Sequence, residues 1–315
     1  MAQFLWTTTN FLAAVRRSAM LPTNVTSIGT ATSDIVAHAS EVIQSQIFPA
    51  IVKTREEYGI KRARIAIATG TQRYRVPDRA FLNKLRHVAL VDVDGNLKNL
   101  IRIELSDLEK AEVVTTGEKE SYFMQENFVS LTGAPTAASG FLELDYLFRP
   151  SRLAENFREI TAVNLVARTI DFASQSFGWA TTDKFDIQTQ RPGAEAKVWS
   201  LVATAVSATQ ITFSSATPID GTTFGTSAVE VGDYVSIEGE SAIPMIPIEF
   251  IPLLKTGTII QWMLATGMAE GAKLNGAKYK EMAGELGIAI EDRVESDPQR
   301  FRGRGSPMTA FRGMQ

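Results

Sequence analysis

The sequence predicts an α+β protein: a helical bundle with β-hairpin projections, a small antiparallel β subdomain and an extended C-terminal arm. Three observations predict this class. Apolar residues recur at helical spacing over 33–58 and again over 248–294. From Lys61 onward the apolar period changes to two, which is typical of strands. The composition also changes twice, to Thr, Ser, Val and Gly over 194–243 and to Arg, Phe, Gly and Pro over 298–315.

Two helices are predicted before residue 60. The first is a short amphipathic helix from Phe4 to Ser18, which Pro22 ends. The Thr-Ser-Asp sequence at 32–34 offers an N-cap for a longer helix from about Ser33 to Tyr58. Pro49 lies inside the apolar pattern of this helix, so we expect a kink or a division there.

Strands and hairpins are predicted over residues 61–148. Asp94-Gly95-Asn96 is a hairpin signal between strands at 84–92 and 97–105. The strand Gly140–Phe148 alternates apolar and acidic residues before Arg149-Pro150 ends it. The remaining predicted elements are short strands at 64–68, 72–76 and 122–131 and a helical turn at 106–111.

The domain boundaries follow from helical spacing and from turn residues. Thr161–Asp171 is predicted to be a further helix, and Gln190-Arg191-Pro192-Gly193 marks a boundary after it. Two helices, Ile248–Met268 and Glu270–Val294, form a predicted antiparallel pair. The predicted division is 1–190, a helical core with β-hairpins; 191–246, a Ser/Thr-rich antiparallel β subdomain; 247–295, a helix pair completing the bundle; and 296–315, an extended docking arm.

Composition excludes several classes of site and partner. The chain of 315 residues has a net charge of −3, which by itself does not favour a nucleic-acid-binding protein. It has no cysteine, so disulfides, thiolate metal sites and cysteine nucleophiles are excluded. No run of about eighteen apolar residues occurs, so no transmembrane helix is predicted. The arginines near the N-terminus follow the apolar stretch, which is unlike a secretory signal.

No pattern of catalytic residues is recognisable. His38 and His87 are the only histidines, and neither belongs to a motif with a nucleophile or a metal ligand. Asp92 and Asp94 flank a turn, but the spaced acids of a calcium loop are missing. No glycine-rich phosphate loop is present. We therefore predict no catalytic, cofactor-binding or metal residues, no cofactor, and a protein that is not an enzyme.

The segment 298–315 is the strongest candidate for binding. It has four arginines and no acidic residue, and it is too short and too rich in Gly and Pro to form a core. Arg and Phe are frequent anchors at protein interfaces. An idle tail and a contact with single-stranded nucleic acid are the alternatives. The predicted docking residues are Arg300, Phe301, Arg302, Arg304, Phe311 and Arg312.

Taken in order, several segments resemble one family, the head-to-tail adaptor (connector) proteins of tailed bacteriophages, of the podovirus type. The order of the segments carries the resemblance more than any one of them. They are FLAAVRRSAMLP at 11–22, SQIFPAIVKTREEY at 45–58, YRVPDRAFLNKLRHVALVDVDG at 74–95, YLFRPSRL at 146–153, VGDYVSIEGESAIPMIPIEFIPLL at 231–254, and the Ala-rich helices with the Arg-rich end.

This resemblance implies a virion structural protein that forms a ring, usually of twelve copies, at the head–tail junction after synthesis in the host cytoplasm. The ring would bind the portal protein above and a tail nozzle or tail tube protein below. Packaged double-stranded DNA would pass through the centre without sequence-specific binding. The arm 296–315 would dock in clefts of the portal. The resemblance implies no membrane partner.

Three alternatives stay open. The protein could be another ring or tail-tube component of a phage, with the same assembly logic in another position. A cellular binding module would use the segment 190–246 to bind carbohydrate or peptide. A hydrolase would need paired carboxylates in one pocket.

Overall fold

The computed structural model describes residues 6–21, 31–54, 56–104, 121–133, 135, 140–174, 177–190, 196–214, 224 and 229–290. Within these residues most of the regular structure is β-strand, and the helices lie before residue 60 and after residue 247. The α-helices are α1 (Thr8–Ser18), α2 (Thr32–Val42), α3 (Phe48–Thr54), α4 (Ile251–Ala265) and α5 (Ala269–Ile290).

The helices form one layer with its own core. α1 contributes Phe11 and Val15, α2 contributes Ile35 and Val42, and α4 contributes Leu254, all of them buried. α5 lies against α4 and α3 with one face half-buried. Apolar faces at helical spacing thus meet one another, and each buried Ile, Leu or Phe side chain stabilises the layer by about 1.5–3 kcal/mol.

A π-helical turn precedes Pro49 in the long N-terminal helical run, which continues from Thr32 to Thr54. The turn Ile43–Ile47 between α2 and α3 is a π-helix, in which the Phe48 N–H donates to the carbonyl of Ile43. Proline has no N–H to donate and its ring crowds the carbonyl four residues before it. A π turn immediately before Pro49 widens the helix where that crowding occurs.

Gly257 allows three helices to cross closely. A Cβ at this position of α4 would lie 2.8 Å from Val42 Cγ1 on α2 and 3.0 Å from Tyr279 Cε2 on α5. Both distances are shorter than ordinary contacts, so any larger side chain would push the helices apart.

Two four-stranded sheets pack face to face beside the helices. The first has the order β1-β8-β3-β4 and the second the order β2-β7-β6-β5. Leu142, Leu144 and Tyr146 of the first sheet share one core with Tyr74 and Val129 of the second. The strands are β1 (Ile60–Ala66), β2 (Arg73–Arg75), β3 (Ala80–Val91), β4 (Leu97–Asn99), β5 (Ile101–Arg102), β6 (Ser121–Gln125), β7 (Phe128–Leu131) and β8 (Phe141–Phe148).

Six further strands close into a small antiparallel barrel in the order β10-β11-β14-β13-β12-β15. A two-residue parallel ladder, β9 with β16, lies beside it. The strands are β9 (Arg152–Leu153), β10 (Phe157–Asn164), β11 (Thr169–Phe172), β12 (Lys184–Gln188), β13 (Ala196–Val206), β14 (Gln210–Phe213), β15 (Tyr234–Ile237) and β16 (Glu240–Ser241).

The barrel interior is filled with side chains. Ile160, Ile170, Phe185, Ile187 and Val198 are fully buried there. Small barrels have an interior that side chains alone can fill, and this barrel is of that kind. Its interior therefore serves as a hydrophobic core.

The predicted helical bundle is wrong. The chain is predominantly β-strand with a closed barrel and several sheets, and its helices form one layer beside them. The apolar residues of α2 and α4 have the same helical spacing whether a helix packs in a bundle or in a layer, so periodicity could not distinguish these architectures.

The helix predicted at Thr161–Asp171 is also wrong, because these residues form most of the β10–β11 hairpin. Its turn is fixed by Asn164, whose Oδ1 accepts the N–H groups of Val166 and Ala167. The predicted division at residue 191 stays a prediction. The barrel takes strands from both sides of that residue.

One described helical run, Thr32–Thr54, is long and apolar enough to cross a membrane by length and composition alone. Half of its most apolar window is buried inside the protein. Ile35, Val42 and Ile51 in this run pack in the core of the helical layer. A helix in the core of a folded protein can have the same length and apolar composition, so these two properties alone are weak evidence for a membrane span.

Candidate interaction surfaces

The predicted docking residues lie outside the described residues. Arg300, Phe301, Arg302, Arg304, Phe311 and Arg312 all follow Ile290, the last residue described. Their role as a docking arm stays a prediction.

The outer face of the first sheet carries an exposed apolar row. Ala66 is the ladder partner of Phe141, Phe141 that of Val91, and Val91 that of Leu97. Ladder partners project from the same face, so the four side chains form one row across four strands. Phe141 is 45% exposed and Leu97 is 50% exposed. Ala66, Phe141, Val91 and Leu97 are called the apolar row below.

A charged network lies beside the apolar row on the same face. Arg64 Nε donates to Glu143 Oε2 at 2.9 Å, and Arg62 Nε donates to Asp145 Oδ1 at 2.8 Å. His87 Nδ1 lies 3.8 Å from Asp145 Oδ2, and His87 Nε2 lies 2.9 Å from Asn99 Oδ1. The hydrogen bond with Asp145 raises the pKa of Arg62, so this guanidinium stays charged.

Glu143 is the buried member of this network. It is 1% exposed although it lies on the outer face of the sheet. Its Oε1 lies 3.1 Å from Arg62 Nη1 but accepts no hydrogen bond of good geometry. Arg62 and Arg64 therefore cover the Glu143 carboxylate and balance its negative charge, while its Oε1 lacks a hydrogen-bond donor.

Apolar and charged side chains are exposed together on this face. Among the described residues, Phe141 and Leu97 are its two exposed large apolar side chains, and arginines with carboxylate partners border them. Contiguous exposed apolar side chains bordered by polar groups are typical of surfaces that bind another protein.

A buried ion pair joins the first sheet to the barrel. Arg79, which directly precedes β3, donates from Nη2 to Asp186 Oδ2 on β12 at 2.5 Å. Asp186 also accepts the N–H groups of Ser200 at 2.9 Å and Gly239 at 3.0 Å. The Arg79 guanidinium lies 4.4 Å from the ring centroid of Trp199 and donates to Ser151 Oγ.

Burial raises the pKa of Asp186, and Arg79 with the two backbone N–H groups opposes that shift. The carboxylate is fully buried. A carboxylate that is buried, paired and saturated with donors holds two elements together and is closed to a substrate. We therefore assign the Arg79–Asp186 pair a structural role, which is to fix the barrel against the sheet.

Among the described residues, no three His, Asp or Glu side chains come together in an arrangement that could hold a metal ion. His38 lies on α2, half-buried, and His87 lies on β3 in the charged network.

Sequence reasoning missed both the apolar row and the Arg79–Asp186 pair. Asp186 is the single acid between apolar residues in Lys184–Gln188, and a charge in such a strand is a signal of a buried partner. The sequence does not show which of its arginines is that partner.

No protein-family model matches the chain, and no curated protein matches it. The resemblance to head-to-tail adaptors therefore stays a prediction carried by the segments given above.

Proposed function

We propose that this protein is a non-enzymatic structural protein of a bacteriophage virion, forming a ring that joins the portal protein to a tail nozzle or tail tube protein. The proposed ring is dodecameric, as rings of the resembled family usually are. DNA passes through its centre without sequence-specific binding. The arm 296–315 docks on the portal through Arg300, Phe301, Arg302, Arg304, Phe311 and Arg312.

The apolar row beside the charged network is the observation that carries the proposal. In a lone chain, Phe141 and Leu97 remain exposed to water. A neighbouring copy in a ring can cover them, and each large apolar side chain so buried contributes about 1.5–3 kcal/mol. A ring repeats the contact at every subunit boundary, so modest contacts add up to a stable assembly.

The rest of the body supports the same role. The barrel has a filled core, and Arg79 with Asp186 fixes it against the first sheet. A rigid unit loses little conformational freedom on assembly, which favours association. The small net charge of −3 also suits a channel through which DNA slides, because a strongly basic protein would bind the phosphates.

Truncation after Asp297 tests the docking arm. We expect the truncated protein to bind the portal protein of the same phage at least about tenfold more weakly, because it loses four arginines and two phenylalanines. Affinity is measured by biolayer interferometry with the full chain as reference. A full chain in which Leu274, exposed on α5, is changed to Ser is the matched control. Equal binding by the truncated and full chains would mean that the arm is not the portal-docking element.

A different ring of the phage tail remains the second candidate, because the apolar row would serve it equally. The two candidate rings differ in the protein that they bind. A protein that binds purified tail protein but never binds the portal belongs to the second candidate.

A further inference from the structure

A groove with an excess of carboxylates lies between α2 and the β9–β16 ladder. Its volume is about 580 Å³. Val36 and Leu153 are buried at its base, and Ala37 and Glu41 of α2 are exposed along one side. Glu155 and Glu240 line it as well, and these six residues define what is called the acidic groove below.

Hydrogen bonds fix the walls of the acidic groove. The Leu153 N–H donates to Ser40 Oγ on α2 at 3.0 Å, and Gln44 Nε2 donates to the carbonyl of Pro150 at 3.1 Å. The carbonyl of Glu240 accepts from Gln188 Nε2 at 2.7 Å and from Ser236 Oγ at 2.8 Å. The groove is therefore preformed, and a guest need not order it.

The charges of the acidic groove are unbalanced. Glu41, Glu155 and Glu240 line it with Arg152 as the one basic residue among its lining side chains. Burial and the nearby charge of Glu155 raise the pKa of Glu240, and Arg152 opposes this shift only in part. A cationic guest would relieve this repulsion, and the apolar base would accept an aromatic or aliphatic side chain.

The acidic groove shares one lining residue with two further cavities. Glu155 also lines two adjoining cavities of about 490 and 820 Å³ between α1 and the barrel, and both of them include Phe157. Arg16 and Arg17 line the smaller adjoining cavity, and Arg158 lines the larger one together with Glu159. The acidic groove has the largest excess of carboxylates of the three, with three glutamates against one arginine, so we place the arginines of a guest there.

We infer that the acidic groove binds the segment 298–312 of a second copy of this chain. The segment carries Arg300, Arg302, Arg304 and Arg312 with no acidic residue, which matches the charge of the groove. Phe301 stands between two of these arginines and matches the apolar base. The ten residues 291–300 that separate α5 from Phe301 can span at most about 36 Å, so the acidic groove of the neighbouring subunit must lie within that distance of Ile290.

The choice of a second copy rests on the proposed ring, in which every subunit has a neighbour. The inference goes beyond that function because it gives the arm a binding site on another copy of this protein when no portal is bound. The portal then competes with the groove for the same arm.

The absence of cysteine allows a direct test on the full chain. One full-length variant carries Phe301→Cys and the other carries Ala37→Cys at the exposed side of the groove. Mixed under mild oxidation, the two are expected to form disulfide-linked heterodimers. The control partner carries Leu274→Cys, which lies 77% exposed on α5 away from the groove, and we expect about tenfold slower linking to it.

Charge variants complete the test. Glu155→Gln or Glu240→Gln in the Ala37→Cys chain is expected to slow linking about tenfold, whereas Glu281→Gln on the exposed face of α5 leaves the rate unchanged. The inference is overturned if Phe301→Cys forms disulfides with positions 37 and 274 at equal rates. It is also overturned if replacing Glu155 or Glu240 leaves the rate of disulfide formation unchanged. A Phe301→Cys/Ala37→Cys double variant that closes only within one chain overturns the assignment to a second copy. No portal is present in this assay, so its failure and the failure of portal docking are separate results.

Discussion

The barrel and the first sheet are both antiparallel, yet they differ in how completely they bury their apolar side chains. The barrel closes on itself and buries Phe185, Ile187 and Val198 inside. The first sheet buries one face against the second sheet and leaves Phe141 and Leu97 exposed on the other. The barrel thus buries its apolar side chains within one chain, whereas the outer face of the first sheet leaves large apolar side chains in contact with water, which is typical of surfaces that bind another protein.

We therefore expect stability and assembly to depend on different residues. Substitutions in the barrel, or at the pair that attaches it, should lower the free energy of unfolding. Substitutions in the apolar row should leave that free energy almost unchanged and weaken association. Three substitutions distinguish the two roles, and they are ordered from the largest expected loss of stability to the smallest.

Phe185→Ala should have the largest effect. Phe185 is fully buried, and its ring lies 5.3 Å from that of Trp179 and 6.3 Å from that of Phe213. Truncating such a residue leaves a cavity and costs about 3–5 kcal/mol. Urea denaturation followed by tryptophan fluorescence measures the loss. A loss below about 1 kcal/mol would mean that the barrel does not depend on this packed interior.

Asp186→Asn should destabilise the protein by about 3 kcal/mol, because Arg79 then keeps a largely buried charge without its carboxylate partner. The matched control is Asp78→Asn, which breaks the exposed ion pair of Arg75 with Asp78 and should cost less than about 1 kcal/mol. Thermal unfolding at pH 7 compares the two. Equal losses of stability in the two variants would mean that the Arg79–Asp186 pair does not fix the barrel against the first sheet.

Phe141→Ser should change the free energy of unfolding least, by about 0.5 kcal/mol or less, because its side chain is half in water already. It should reduce ring formation strongly, since each subunit boundary loses an aromatic contact. Analytical ultracentrifugation with the portal present measures the assembly. Val166→Ser is the control, because Val166 is 94% exposed at the tip of the β10–β11 hairpin and outside the apolar row. If both variants assemble as the unmodified chain does, the apolar row is not a subunit contact.

Local features of the fold could be predicted from the sequence, whereas its long-range pairing could not. The Asp94-Gly95-Asn96 signal does join two strands, β3 and β4, and a π turn does precede Pro49 in its helical run. The barrel requires Phe157 to pair with Ser236, and the link to the sheet joins Arg79 to Asp186, 107 residues later. Periodicity describes the neighbours of a residue along the chain and says nothing about such distant partners.

The misread helix at Thr161–Asp171 has a similar cause. Val163, Val166 and Ile170 recur at intervals of three and four residues, as on one face of a helix. In the hairpin Ile170 lies inside the barrel while Val166 lies exposed at the turn. The signal that distinguishes the two structures is Asn164, whose side chain accepts two N–H groups of the turn.

The most direct test of the adaptor proposal is native mass spectrometry of the full chain, alone and mixed with the portal protein of the same phage. The account predicts that the mixture contains a portal particle carrying a ring of this protein, and that Phe141→Ser reduces its abundance. A chain that stays monomeric under every condition and never joins the portal would contradict the account.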